Sequence, residues 1–405
     1  RLIAQYKLQR RYDDSERNVI YVSTVFPIDH HSLQQILLQE VGLTTLPPLL
    51  ILDREILRCA SNRTACNSLY SKIENKTKTL RFGIQRHQAK NVKNFNVNIW
   101  RNQKAGYSFH AEVFNVDHVQ TAGGGSYWSI PNFHGDGISA LLPVVRLLKY
   151  RFQHNGDDER LQFYGPDKPS TYAKLIEYSR FVDCNRSLAQ RSPQQSFWPP
   201  TISHDQFIGL GRLRDLMISV DMIPILAGGT LLGWYRDCSL IPHTNDMDLS
   251  LDSSMWSDLL TLTLLTSEEF NLKRIIGERN DSLEYTVSYK GAAIDIFLYY
   301  SNKEYIYHGA MIPSQRVKLK QTLPLSTENC ATLLLDELFH VPCDPVKRIK
   351  AEYGPNLTIP IYSSQFSWYS SPFNIEQVGV YSKNQMKHVF ITDKLAMLQS
   401  VRDLN

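Results

Sequence analysis

Apolar and polar positions recur along this chain with two different periods, and the changes between them mark out its elements. After a charged, aperiodic start over residues 1–16, residues 19–26 read as a strand. Residues 33–41 read as a helix with Leu33, Ile36, Leu37 and Val41 on one face. A second strand covers 49–52, and Asp53 stands where it would cap a short helix ending near Cys59. A polar loop over 61–78 leads to strands near 80–84, 97–100 and 109–114, so this half is α/β. The Gly123-Gly124-Gly125 run opens no helix and reads as a turn, as does His134-Gly135-Asp136-Gly137, whose histidine reads as structural.

Residues 190–200, QRSPQQSFWPP, read as a linker. Beyond it, 205–220 form a helix with Phe207, Ile208, Leu213, Leu216 and Met217 on one side, feeding a short buried strand over 222–226. Gly228-Gly229 ends that strand, a short helix covers 231–236, and Asp246-Met247-Asp248-Leu249-Ser250-Leu251 alternates as a strand. A Leu-rich helix starts at Ser253, and 283–289 with 293–300, joined at Lys290-Gly291, form a hairpin. Arg316, Lys318 and Lys320 alternate on one strand face, as a solvated ladder or as a site for an anionic acceptor. Asp344, Pro345 and Gly354 punctuate a last helix as N-cap, N1 and C′.

Length and charge narrow the class. The 405 residues imply two domains, an N-terminal α/β stem or accessory domain over 1–190 and a catalytic domain over 201–405. A net charge of +4 without a basic cluster argues against nucleic acid as a partner, while nucleotides and sugar phosphates stay compatible. The longest apolar stretches, 138–150 and 255–265, are interrupted by Pro143, Arg146 or Asp258, so no transmembrane helix is expected. The chain opens on Arg1, and a preceding segment with a signal or membrane anchor is expected. Six cysteines, Cys59, Cys66, Cys184, Cys238, Cys330 and Cys343, form no CxxC pair, which argues against a zinc ribbon and leaves disulfides. The sequons at Asn62, Asn75, Asn185, Asn280 and Asn356 carry little weight in so Asn-rich a chain.

The chemistry concentrates in residues 226–249. Gly228, Gly229 and Thr230 at a helix start would bring backbone N–H groups and the positive end of the helix dipole to a phosphate. Arg236, at the far end of that helix, either holds a phosphate or pairs with Asp237, and Trp234 and Tyr235 either stack on a base or pack in the core. Asp246 and Asp248 lie on one strand face, where two carboxylates repel unless a hard cation such as Mg²⁺ or Mn²⁺ joins them. Asp295, between Ile294 and Ile296, is costly to bury without a partner and completes a set of three acids. Cys238 has no base partner that would make it a nucleophile.

A glycine pair, an Asp-x-Asp and a lone strand Asp, in that order, form the pattern of polymerase-beta-like nucleotidyltransferases. The finer wording resembles the LicD/fukutin family: Gly229-Thr230-x-Leu232-Gly233-Trp234-Tyr235-Arg236, Ile241-Pro242, Asp246-x-Asp248-Leu249, Asp295-x-Phe297 and His340-Val341-Pro342-Cys343. Tyr353-Gly354, Ile359-Pro360, Ser179-Arg180-Phe181-Val182-x-Cys184 and the 50–53 strand extend the likeness, which is dense only after about residue 178. The resemblance implies a mixed-sheet nucleotidyltransferase fold after an N-terminal α/β domain. It implies a metal-dependent transfer of ribitol-5-phosphate, or a similar phospho-alditol, from a CDP-linked donor to a protein-linked glycan, with release of CMP. CDP-choline is the alternative donor, and a weakly active scaffold for another glycosyltransferase the non-enzymatic alternative. Asp246, Asp248 and Asp295 would hold the metal, with Asp295 as ligand or base. The implied location is the Golgi lumen, with the ER lumen or secretion as alternatives, and contact with the membrane only through an anchor outside this sequence. Many members have a further Asp two positions before the pair, where this chain has Thr244.

Overall fold

The computed structural model describes residues 20–21, 49–61, 79–85, 95–98, 108–121, 124–145, 147–151, 163–191, 200–326, 328–362 and 365–402. The expected helix over 33–41, most of the strand over 19–26, the loop over 62–78, Gly123 and most of the 190–200 stretch lie outside them. The chain divides into two compact units, residues 1–120 with 126–181 and residues 121–125 with 182–405.

In the first unit, a nine-stranded mixed sheet runs in the order Ile20–Tyr21, Leu147–Arg151, Phe163–Pro166, Leu49–Ile51, Thr79–Gln85, Ser108–Gln120, Ser126–Ile130 and Ala140–Pro143, with Phe95–Asn98 paired to the long strand. Asp53 caps the helix Arg54–Ser61 as expected, its Oδ1 accepting the N–H groups of Glu55 and Ile56 at 3.0 and 3.1 Å. The segment around His134 is a turn with Gly135, Asp136 and Gly137 at positive φ, and the His134 ring rests 3.0 Å from Ser179 Oγ.

In the second unit, the short helix Arg186–Ala189 is followed by α1 (His204–Ile218), where Ser203 and Gln206 form a reciprocal capping box. Phe207, Leu210, Leu213 and Met217 bury one face, while Ile208 stays half exposed. Next come β1 (Ile225–Leu226), α2 (Gly228–Asp237) and β2 (Asp246–Asp252). The strand expected over 222–226 shrinks to β1 because Pro224 has no N–H to donate to a ladder. The Leu-rich helix does not start at Ser253: Asp252 Oδ1 accepts the Ser254 N–H at 2.9 Å and closes a 3₁₀ turn, so α3 covers Leu259–Leu265.

The sheet itself comprises β3 (Asn271–Ile276), β4 (Glu284–Tyr289), β5 (Ala292–Ser301), β6 (Tyr305–Ile312) and β7 (Val317–Pro324). A separate hairpin, β8 (Asn329–Leu334) and β9 (Glu337–Pro342), precedes α4 (Pro345–Tyr353), β10 (Ile375–Val380), β11 (Phe390–Ile391) and α5 (Lys394–Arg402). The order is β10-β7-β6-β5-β4-β3-β11, and β2 adds to β5 with β1 beyond it. The β4–β5 hairpin turns at Lys290 and Gly291, both at positive φ (46° and 88°), which gives a primed two-residue turn. Most neighbours are antiparallel, but β2 and β5 run parallel, with Asp248 opposite Asp295. Alternation on these two strands sends Met247, Leu249, Ile294 and Ile296 into a core shared with Phe207, Leu213 and Trp234, and leaves the three aspartates on the opposite face. This is the mixed helix-and-sheet architecture expected of the fold class.

Candidate active site

The site sits at the start of β2 and β5, where parallel pairing sets carboxylates side by side. Asp246, Asp248 and Asp295 each offer an oxygen within 4.8 Å of the others. Asp246 is exposed, Asp248 half-buried, and Asp295 only 9% exposed. Asp248 is the best oriented: the Gly229 N–H donates to its Oδ2 at 2.9 Å, and its own backbone N–H donates to Thr230 Oγ1 at 2.7 Å. The start of α2 therefore grips β2 directly. Gly228, at φ +48°, makes this approach, since a β-carbon there would lie 2.7 Å from Asp248 Oδ2. At Gly229 a β-carbon would meet that oxygen at an ordinary 3.6 Å.

Burial raises the Asp248 carboxyl well above the usual carboxylate range, and the charges of Asp246, Asp295 and Glu352 push it further, against the Gly229 N–H. Burial also raises Asp295, opposed by the Thr286 hydroxyl, which donates to its Oδ1, and by Arg274. Thr286 in turn accepts from Arg274 Nε at 2.8 Å. Glu284, two positions before Thr286 on β4, is pushed up to about 8 by burial and the Asp295 charge. At the place of the further family Asp, Thr244 Oγ1 donates to Asp246 Oδ1 at 2.9 Å. These acids repel one another across a small space and keep unshared oxygens, which suits a divalent cation: Asp246, Asp248 and Asp295 would hold it, and Thr286 and Gly229 would aim two of them.

Arg236 is buried (3% exposed) with its Nη2 2.9 Å from Asp237 Oδ2 and its Nη1 3.4 Å from the Leu357 carbonyl, so of its two sequence readings the structure displays the pairing with Asp237. Trp234 is fully buried, and Tyr235 packs against the same core with its hydroxyl 3.4 Å from Asn185 Nδ2. Cys238 is bonded to Cys184, and Cys330 to Cys343. Lys318 pairs with Asp281, and Lys320 lies over the rings of Tyr305 and Tyr307, so the basic alternation is spent inside the fold. Arg316 falls in the turn before β7.

A cavity of about 470 Å³ opens over the aspartates. Its wall adds groups that sequence reading missed: Arg274, Glu284, His308, Gln321 and Glu352. Glu284 was within reach, because it shares the alternating face of β4 with Thr286, opposite Asp295. His308 and Glu352 come from β6 and α4, and no local pattern brings them to Asp248. The enclosed Glu352 carboxyl is raised to about 7 by burial, against hydrogen bonds from Tyr353 and Gln321 and the charge of Arg348.

Residues 224–336 match the family model described as LicD/FKTN/FKRP, nucleotidyltransferase domain. This chain therefore carries a LicD-type nucleotidyltransferase domain, and its three acids stand in that domain's sheet. Over a longer stretch than that domain, the chain is similar to fukutin. The ribitol-5-phosphate transferase FKTN of Mus musculus is 30% identical over 234 residues, 55% of this chain and 49% of that protein. The Homo sapiens FKTN is 28% identical over 230 residues. The uncharacterized protein W02B3.4 of Caenorhabditis elegans is 36% identical over 234 residues, 59% of its length. The chain thus spans about half to three fifths of the length of these relatives.

Proposed function

We propose that the protein is a metal-dependent phosphotransferase that moves ribitol-5-phosphate, or a similar phospho-alditol, from a CDP-linked donor to a protein-linked glycan in the Golgi lumen. The observation that carries this reading is the convergence of Asp246, Asp248 and Asp295 under the start of α2 inside one cavity, in a homologue of ribitol-5-phosphate transferases. In this reading residues 201–405 form the catalytic domain and 1–190 the accessory one.

Asp246, Asp248 and Asp295 would hold Mg²⁺ or Mn²⁺, which would supply positive charge to offset the negative charge of the donor phosphates. The chain supplies the rest. Gly228, Gly229 and Thr230 turn the positive end of α2 toward the donor phosphates, while Arg236, at the far end of α2 and paired with Asp237, braces the cavity wall. The acceptor hydroxyl attacks the distal phosphorus in line, the new P–O bond forms as the bond to the CMP oxygen breaks, and CMP leaves with the electron pair. Asp295, kept partly protonatable by burial and oriented by Thr286, takes the hydroxyl proton or completes the metal site. The two disulfides suit an oxidising lumen.

Purified protein offered CDP-ribitol, CDP-glycerol and CDP-choline with Mg²⁺ or Mn²⁺ tests the proposal. CMP release should be fastest from CDP-ribitol and vanish with EDTA. Preference for CDP-choline would reassign the donor, and no release from any of the three would leave the scaffold role.

A further inference from the structure

Of the thirteen large apolar side chains that are exposed among the described residues, six fall within residues 359–373: Ile359, Ile361, Tyr362, Trp368, Tyr369 and Phe373. So dense an exposed patch marks a binding surface more often than chance. Ile359, Ile361 and Trp368 also line the catalytic cavity, together with the half-buried Phe366. The cavity lining is therefore of two chemical kinds: acidic, with Asp246, Asp248, Asp295, Glu284 and Glu352, and aromatic or aliphatic, with Ile359, Ile361, Phe366 and Trp368.

The aromatic side is held in place. Phe366 stacks on Tyr353 at 5.7 Å, and Trp368 meets the Tyr369 ring edge-on at 5.4 Å. The Ser370 and Ser371 N–H groups donate to the Ser367 carbonyl at 3.1 and 2.8 Å, and the Phe373 N–H donates to the Glu352 carbonyl at 2.9 Å. Trp368 nonetheless leaves half its surface open. Trp234 and Tyr235, the aromatics that the sequence offered for stacking, are committed to the core.

We infer that Trp368, braced edge-on by Tyr369, is the platform on which the nucleobase of the donor stacks. The inference rests on the phosphotransferase reading and adds to it the part of the cavity that recognises the nucleotide. A nucleoside diphosphate has the matching polarity, with charged phosphates at one end and a flat base at the other, whose faces are apolar and whose polar groups lie on its edge. A polyol or sugar acceptor, with a hydroxyl on nearly every carbon, offers no continuous flat apolar face of comparable area to Trp368, so the base is the better match.

Calorimetric titration of the full chain with CMP, and separately with inorganic pyrophosphate, in Mn²⁺ buffer tests this. Trp368→Ala should weaken CMP by about 5- to 150-fold, the range that loss of one base–aromatic stack gives, and Trp368→Tyr should recover most of it. Pyrophosphate, which has no base, should bind wild type and both variants alike. Thermal melting checks that the variants are folded. Unchanged CMP affinity in Trp368→Ala, or an equal loss for pyrophosphate, overturns the inference while leaving the phosphotransferase reading intact. Wild type that binds pyrophosphate but not CMP overturns the cytidine-donor reading and the platform with it.

Discussion

At the scale of single residues, the site is a balance between like charges and the few donors that hold them. Asp248 is the least comfortable, being enclosed with three other acids and steadied by one backbone N–H. Asp248→Asn removes the repulsion, so without divalent ions the variant should melt at or above the wild-type temperature, while losing turnover and the Mn²⁺-induced rise in Tm. Retention of either would remove Asp248 from the metal site. The adjoining glycines behave differently. Gly228→Ala forces a β-carbon into Asp248 at a positive φ and should cost about 1–2 kcal/mol of stability as well as turnover. Gly229→Ala meets only ordinary contacts, at 3.6 and 3.9 Å, and an ordinary φ, and should leave the urea midpoint unchanged or raised. The three aspartates were legible in the sequence because period-2 alternation places a strand side chain without further knowledge. The strained glycine was not, because which of two neighbours takes a positive φ depends on where β2 passes.

At the scale of elements, the loop from α2 to β2 is shaped by Gly233. A β-carbon there would lie 2.7 Å from the Ser239 carbonyl oxygen and 2.9 Å from the Ile241 nitrogen, both backbone atoms that cannot step aside cheaply. Gly233→Ala should therefore destabilise by about 1–3 kcal/mol in urea titration and lower Mn²⁺ affinity, since the displaced loop carries Thr244 and Asp246. An unchanged midpoint would mean the loop is more compliant than its packing suggests. The Cys184–Cys238 bond anchors the end of the same helix across 54 residues, and Cys184→Ser with Cys238→Ser should cost about 2–5 kcal/mol, read as a drop in Tm. Helices, hairpin and turn chemistry were readable here from caps, glycines and alternation, with Lys290-Gly291 the clearest signal. Where elements start a few residues late, as with α3, a side chain such as Asp252 has taken a local hydrogen bond that periodicity does not encode. The disulfide partners and the arrival of Glu352 and Trp368 beside Asp248 depend on long-range packing, and spacing alone leaves them open.

At the scale of the molecule, two sets of buried groups give stability a worked-out pH profile. Burial lowers His308 to about 4 and His340 to about 3, from 6.5, so the unfolded chain binds more protons and stability falls as pH drops from 6.5 toward 4. Burial raises Glu352 to about 7 and Glu284 to about 8, from 4.5, so the folded chain holds more protons and stability falls as pH rises from 4.5 toward 8. Melting in EDTA should peak at about pH 5–6, where the two trends cross, and a flat profile from 5 to 8 would show that these groups are better solvated than their burial implies. The parallel pairing of β2 with β5 has a consequence for how the molecule is made. Asp248 and Asp295 are neighbours only after the 46 intervening residues have been closed into a loop and the β4–β5 hairpin has docked, a slow, non-local event. A nascent or half-folded chain thus has its acids but no place for a cation. In refolding from urea, Mn²⁺ affinity should emerge together with the last phase of sheet formation and never ahead of it, so that ion capture serves as a clock hand for completion of the fold.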